Sequence, residues 1–237
     1  MSRFDVIAFD ADDTLWHNER LYVAAQERYR RLLAQYVSEQ RVESQLYETE
    51  IRNLQHFGYG IKAFALSMIE TAIDISAGRV TSREIQQILD AGKALLTRPI
   101  ELLPGVRETL EHLADKYNLL LITKGDLFHQ ESRIAASGLG ELFSALEVVS
   151  EKDVPTYERV FRRYHIDPAT FLMVGNSVRS DILPIVALGA RAVYIPYEIT
   201  WQHEVADPAT AAHDGWWELA SISELPGKLA ELEATER

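Results

Sequence analysis

The chain has 237 residues, 47% of them apolar and 25% charged, a balance that fits a globular protein of one or two domains and excludes disordered and fibrous classes. It contains no cysteine, so disulfides, thiolate metal sites and cysteine nucleophiles are excluded, in keeping with a reducing compartment. The net charge of −12 disfavours extended contact with nucleic acid or anionic lipid, and no apolar run approaches a signal-peptide core or the ~20 residues of a membrane span, so a cytoplasmic location is expected.

Phe4-Asp5-Val6-Ile7-Ala8-Phe9 is rich in β-formers and predicts a buried strand that runs straight into Asp10-Ala11-Asp12-Asp13-Thr14-Leu15. A carboxylate stepping off the end of an apolar parallel strand is poorly solvated on one side, and a second one two residues later can turn to the same reacting group. Asp10 is then placed to act as a nucleophile and Asp12 as a general acid and base, provided that a cation offsets their repulsion. Taken alone, the same residues also suit a polar turn in which Asp13 or Thr14 caps a helix.

Residues 18–96 show helical periodicity and no convincing strand. Leu21, Ala25, Tyr29, Leu32, Leu33 and Tyr36 recur at three- and four-residue steps and draw one apolar helix face. A second helix is expected over 42–56, stopped by Gly58. A third starts near Ile61 and carries Phe64, Met68 and Ala72; a fourth opens with the capping-box pattern Thr81-x-x-Glu84 and continues through Ile85, Ile88 and Leu95. The break Phe57-Gly58-Tyr59-Gly60-Ile61-Lys62 suits a plain helix connection, or an unusual backbone path that presents Tyr59 and Lys62 to a substrate.

From Pro99 helix and strand alternate. A helix begins at Pro104-Gly105-Val106, and an apolar strand over 119–122 ends in Thr123-Lys124-Gly125-Asp126. A strand over 145–149 leads to Ser150-Glu151-Lys152, a helix covers 156–164, and a strand over 171–174 runs into Gly175-Asn176-Ser177-Val178-Arg179-Ser180-Asp181. Residues 192–195 are the last clear strand, and Trp216-Trp217 reads as edge packing. Such alternation implies a parallel sheet covered on both faces, with ligands bound beyond the carboxyl ends of the strands.

Four strand ends thus supply Asp10 with Asp12, Thr123, Lys152, and Asn176 with Asp181, in that order. This set resembles the four motifs of the haloacid dehalogenase-like hydrolases: Asp-x-Asp-x-Thr, a strand ending in Ser or Thr, a Lys, and a strand followed by acidic residues. The resemblance implies an α/β fold, a Rossmann-like three-layer core of residues 1–17 and 98–237 with an inserted all-α helical-bundle cap of residues 18–97. In the phosphatase branch it further implies Mg²⁺ held by Asp10, the main-chain oxygen of Asp12, Asn176 and Asp181. Thr123 and Lys152, helped by Lys124, would hold the phosphoryl oxygens of a small phosphorylated metabolite. Asp10 would carry an aspartyl-phosphate while Asp12 serves the leaving oxygen and then the attacking water.

One position departs from that pattern. Residue 176 is Asn, where the phosphatases most often carry an acidic ligand, and metal-independent 2-haloacid dehalogenases have an Asn in this neighbourhood. Those enzymes lack the counterpart of Asp12, because a halide leaves unprotonated, so phosphoryl transfer is the expected chemistry and dehalogenation the alternative. A phosphomutase or a non-catalytic binding protein on the same fold stays open, as does self-association into a homo-oligomer. Tyr59 and Lys62 are expected to select the substrate, and no nucleic-acid or membrane partner is expected. Taken singly, Thr123 is equally a strand end, Lys152, Lys124 and Arg179 solvated charges, Asn176 a helix cap, and His17 a hinge residue.

Overall fold

Alternate residues of the first apolar run face opposite ways, and this divides the interior. In the computed structural model, which describes residues 4–206 and 215–234, β1 (Val6–Phe9) turns Val6 and Ala8 to one side and Ile7 and Phe9 to the other. Leu120, Ile122, Phe171, Met173 and Ala192 join Val6 and Ala8, whereas Leu119, Leu121, Leu172, Val174 and Val193 join Ile7 and Phe9. A strand buried on both faces needs this unbroken apolar run.

The sheet also contains β2 (Asn118–Lys124), β3 (Ala145–Val149), β4 (Phe171–Gly175), β5 (Arg191–Tyr194) and β6 (Trp216–Glu218). All its pairings are parallel, in the order β3-β2-β1-β4-β5-β6. Residues 192–195 are therefore not the last strand. Trp216 and Trp217 pair with Ala192 and Val193 and form the sheet edge. Chain progression reverses between β1 and β4, and the crevice at such a switch point, beyond the carboxyl ends, is where ligands bind in open α/β sheets. Phe9 pairs with Leu121 on one side and Val174 on the other, so Asp10 emerges into that crevice.

The chain divides into two compact units: residues 1–17, 100–124 and 130–237, and residues 18–99 with 125–129. The first holds the sheet with α5 (Val106–Ala114), α7 (Val154–Tyr164), α8 (Leu183–Ala187), α9 (Leu225–Ala234) and most of α6 (Leu127–Ser137). Its two chain crossings are tied together: Trp16 bridges Leu102, and His17 N–H donates to the Glu101 carbonyl at 3.1 Å.

The second unit consists mainly of α1 (Glu19–Leu33), α2 (Glu39–Phe57), α3 (Ile61–Ile75) and α4 (Ser82–Leu96). Leu33, Val42, Leu46, Phe64, Met68, Ala72 and Ile88 form its core. Local chemistry sets the helix ends: Gly58 closes α2 at φ 66°, and at α4 the Thr81 hydroxyl accepts from Glu84 N–H while the Glu84 carboxylate accepts from Thr81 N–H. The Tyr29 hydroxyl, buried in this bundle, donates to the Met68 carbonyl at 2.7 Å. Among the described residues no helix is long and apolar enough to cross a membrane.

Candidate active site

Asp10 extends the β1 ladder by one residue, donating its N–H to the Val174 carbonyl at 2.9 Å. The chain then turns tightly: Leu15 N–H reaches the Ala11 carbonyl at 2.8 Å, and Asp13 takes a left-handed conformation at φ 64° that aspartate tolerates. This turn brings the Thr14 hydroxyl to 3.1 Å from Asp10 Oδ2 and 3.3 Å from Asn176 Oδ1. One hydroxyl thus joins the ends of the adjacent strands β1 and β4.

Lys152, on the link between β3 and α7, is only 3% exposed. Its ammonium lies 2.6 Å from Asp10 Oδ1 and 2.7 Å from Asp181 Oδ1. Asp181, 1% exposed, also accepts from Ser177 N–H at 3.0 Å through Oδ2. A buried lysine with two carboxylates is tolerable because each charge is paired and hydrogen-bonded. Burial pushes the Asp10 carboxyl up to about 7, against the pull of Lys152 and with the repulsion of Asp181. Burial lowers the Lys152 value, but Asp10 and Asp181 outweigh it and hold the ammonium above the ordinary lysine range. Gly175 makes room for this cluster, since a Cβ there would sit 2.2 Å from Asp181 Oδ2.

The Asp12 carboxylate, close enough to add to the repulsion on Asp10, has its own partners. Its Oδ1 accepts from Trp16 Nε1 at 2.7 Å and pairs with the Arg133 guanidinium at 2.7 Å, and its Oδ2 accepts from Gln130 Nε2 at 2.9 Å. Gln130 also donates to Thr123 Oγ1 at 3.3 Å and the Lys124 carbonyl at 2.8 Å, while its own Oε1 is buried with no hydrogen-bond partner among the described residues. Thr123 is buried at the end of β2. Trp16, Gln130 and Arg133 carry no signal in the local sequence pattern; Gln130 and Arg133 lie one turn apart on α6, the helix that follows Thr123.

Lys124, expected to face a phosphoryl group, is paired within the core. Its ammonium lies 2.5 Å from Glu204 Oε1, 2.9 Å from Ser180 Oγ and 3.5 Å from Glu151 Oε1. Glu204 Oε2 accepts from Ser177 Oγ at 2.7 Å and Ser180 Oγ at 2.6 Å. Burial opposes ionisation of Glu204, but Lys124 and the two serine hydroxyls outweigh it and hold the carboxyl down at about 2. Glu204, in the segment that follows β5, carries no signal in the local sequence pattern either. Residues 178–182, which contain Asp181, form one π-helical turn, a feature frequent at functional sites.

The remaining candidates have other partners. Arg179 donates to the His203 carbonyl at 2.5 Å, and His17 Nδ1 lies 2.6 Å from the Tyr197 hydroxyl. Tyr59 and Lys62 belong to the helical unit, where the Lys62 ammonium is 2.9 Å from Asp126 Oδ1. Among the described residues no three His, Cys, Asp or Glu side chains converge as a metal-ligand set. A cation at this site would therefore draw on the Asn176 amide and main-chain oxygen as well as carboxylate.

The family model of the haloacid dehalogenase-like hydrolases matches residues 4–189. Among solved structures, a haloacid dehalogenase-like family hydrolase from Xanthomonas campestris is 40% identical, with a TM-score of 0.87 over 99% of this chain and 94% of that one. A predicted phosphoglycolate phosphatase from Haemophilus somnus 129PT is 21% identical, with a TM-score of 0.64 over 96% and 99% of the two chains. A 2-haloacid dehalogenase from Pseudomonas syringae pv. Tomato DC3000 is 24% identical, with a TM-score of 0.62 over 97% and 99%. Among curated proteins no sequence matches. The last two structures share the fold and carry different chemistries, whereas the family match spans the segments that hold Asp10, Thr123, Lys152 and Asp181: the chain belongs to the haloacid dehalogenase-like hydrolases.

Proposed function

We propose that the chain is a Mg²⁺-dependent phosphatase that hydrolyses a small phosphate monoester through an aspartyl-phosphate on Asp10. The observation that carries this reading is Asp12, a second carboxylate two residues beyond Asp10 that is oriented by Arg133, Trp16 and Gln130. Loss of an alkoxide needs a proton donor, and loss of a halide does not.

The oxygens suit a hard divalent cation. Asp10 Oδ2 and Asn176 Oδ1 lie 3.1 and 3.3 Å from the same Thr14 hydroxyl, and carboxylate, amide and main-chain oxygens are the donors that Mg²⁺ takes. Asp10, Asn176 and the main-chain oxygen of Asp12 would hold the ion, with Asp181 behind them beside Lys152. Bound there, Mg²⁺ would neutralise the repulsion between Asp10 and a phosphate dianion.

Asp10 attacks phosphorus through a carboxylate oxygen as the ester P–O bond breaks, and Asp12, which takes up a proton from solvent or from the monoanionic ester as substrate binds, passes that proton to the departing oxygen. Water then attacks the phosphorus of the acyl phosphate and yields its proton to Asp12, which releases phosphate and restores the Asp10 carboxylate. Thr123 and Lys152 hold phosphoryl oxygens as charge shifts. Tyr59 and Lys62, on the helical unit, select the leaving group.

A panel of phosphorylated metabolites and 2-haloacids, assayed with Mg²⁺ or EDTA, tests the reading. Phosphate release that needs Mg²⁺ is expected, lost in Asp10→Asn and slowed in both chemical steps by Asp12→Asn. Asn176 favours one alternative, metal-independent dehalogenation; halide release in EDTA with no phosphate release from any ester would establish it instead.

A further inference from the structure

Asn176 brings an oxygen but no charge to the place where a divalent cation is proposed to bind, and a half-buried carboxylate stands nearby. Glu204 closes the short turn Gln202–Glu204 and accepts from Ser177 Oγ, Ser180 Oγ and Lys124 Nζ at 2.7, 2.6 and 2.5 Å. Ser177 is the residue after Asn176, and its N–H holds Asp181 at 3.0 Å. Three donors converge on Glu204, among the described residues with no acceptor against them, the environment of an ionised carboxylate.

We propose that Glu204 is a positioning residue that supplies, through Ser177 and Ser180, the negative charge Asn176 lacks toward a divalent cation; this rests on the phosphatase reading above. The charges around the site support it. Asp10, Asp12, Asp13, Asp181, Glu151 and Glu204 set six carboxylates against the four cations Lys124, Lys152, Arg133 and Arg179, a net of two negative charges that a divalent ion would balance. Without Glu204 one remains. Lys124 opposes Glu204 in this role because its ammonium offsets the same charge, so the two residues act on the cation with opposite sign.

Binding of Mn²⁺, as a probe for Mg²⁺, is measured by water-proton relaxation without substrate at pH 8 in the wild type, Glu204→Gln and Lys124→Met. Melting curves without metal are recorded beside it. Glu204→Gln is expected to weaken Mn²⁺ binding by about tenfold, the scale of losing an outer-shell partner of a metal site, and Lys124→Met to tighten it several-fold. A contact that only braces the loop would weaken binding in both variants, and that result overturns the proposal, as does affinity in Glu204→Gln within twofold of the wild type. If Glu204→Gln fails to fold, Lys124→Met decides alone: tighter binding supports the proposal, and unchanged or weaker binding overturns it. A wild type that binds no Mn²⁺ overturns the phosphatase reading and this proposal with it, whereas wild-type binding that is insensitive to both variants overturns this proposal alone.

Discussion

An ammonium between two carboxylates sets two attractions against their one repulsion, and removing it leaves that repulsion unopposed in a buried site. Lys152 occupies that position at 2.6 and 2.7 Å from Asp10 and Asp181. In Lys152→Met the two carboxylates face each other unpaired, at a cost of about 3–5 kcal/mol for a buried charge stripped of its partner. The variant is expected to lose at least ~10²-fold in kcat/KM, the scale of deleting one preorganised electrostatic group. Turnover close to wild type would return Lys152 to a purely structural role. Gly175 is set by the same cluster. A Cβ there would lie 2.2 Å from Asp181 Oδ2 and 2.6 Å from its Cβ, so Gly175→Ala has to displace Asp181 from Lys152 and the Ser177 amide. Overpacking of this kind costs about 1–3 kcal/mol. Turnover is expected to fall with it, and wild-type activity together with a wild-type melting curve would contradict the contact.

At the scale of elements, the helical unit offers two measurements that no active-site chemistry disturbs. The α4 capping box satisfies two helix-end N–H groups through Thr81 and Glu84, so Thr81→Ala is expected to lower stability by ~1 kcal/mol, read as a drop in melting temperature. Glu50 on α2 is partly buried; burial, with the charge of Glu19 on α1 adding to it, pushes its carboxyl up to about 8. Tyr29, also on α1, senses Glu50 as well. A folded-state value above the unfolded one means that the folded chain holds the proton longer, so stability falls as pH rises from about 4.5 to about 8. Glu50→Gln is expected to match the wild type near pH 5 and to exceed it by about 1–3 kcal/mol at pH 8; equal melting temperatures at both pH values would contradict a neutral Glu50. The helices of this unit were legible because three- and four-residue apolar steps and caps are local signals. The edge strand β6 was not, since three residues, two half-exposed and one exposed, gain strand character only from pairing with β5. Nor was the π-helical turn at 178–182, whose hydrogen-bond spacing leaves no mark in apolar periodicity.

Across the whole molecule, the legible part of the site is the part carried by strand ends in order: Asp10, Thr123, Lys152, and Asn176 with Asp181. Parallel β-α alternation fixes where such residues emerge, and the structure joins Asp10, Lys152, Asp181 and Asn176 through hydrogen bonds. Glu204, Gln130, Arg133 and Trp16 were not legible because their importance lies in partners that only the tertiary fold brings close. Those partners also decide the field a substrate meets. Lys124, Lys152 and Arg133 are each paired with carboxylates, so little positive charge extends from the core's crevice while the chain carries −12 overall. An approaching phosphate dianion is then opposed by the molecule as a whole and held only by short-range contacts. Raising NaCl from about 10 to 150 mM shortens the screening length from ~30 to ~8 Å. At saturating free Mg²⁺ this is expected to raise kcat/KM for a small monoester by about 2–5-fold while kcat stays constant. A steep fall of kcat/KM over the same range would mean instead that an unpaired cationic group reaches outward to steer the substrate, contrary to the pairing of Lys124, Lys152 and Arg133.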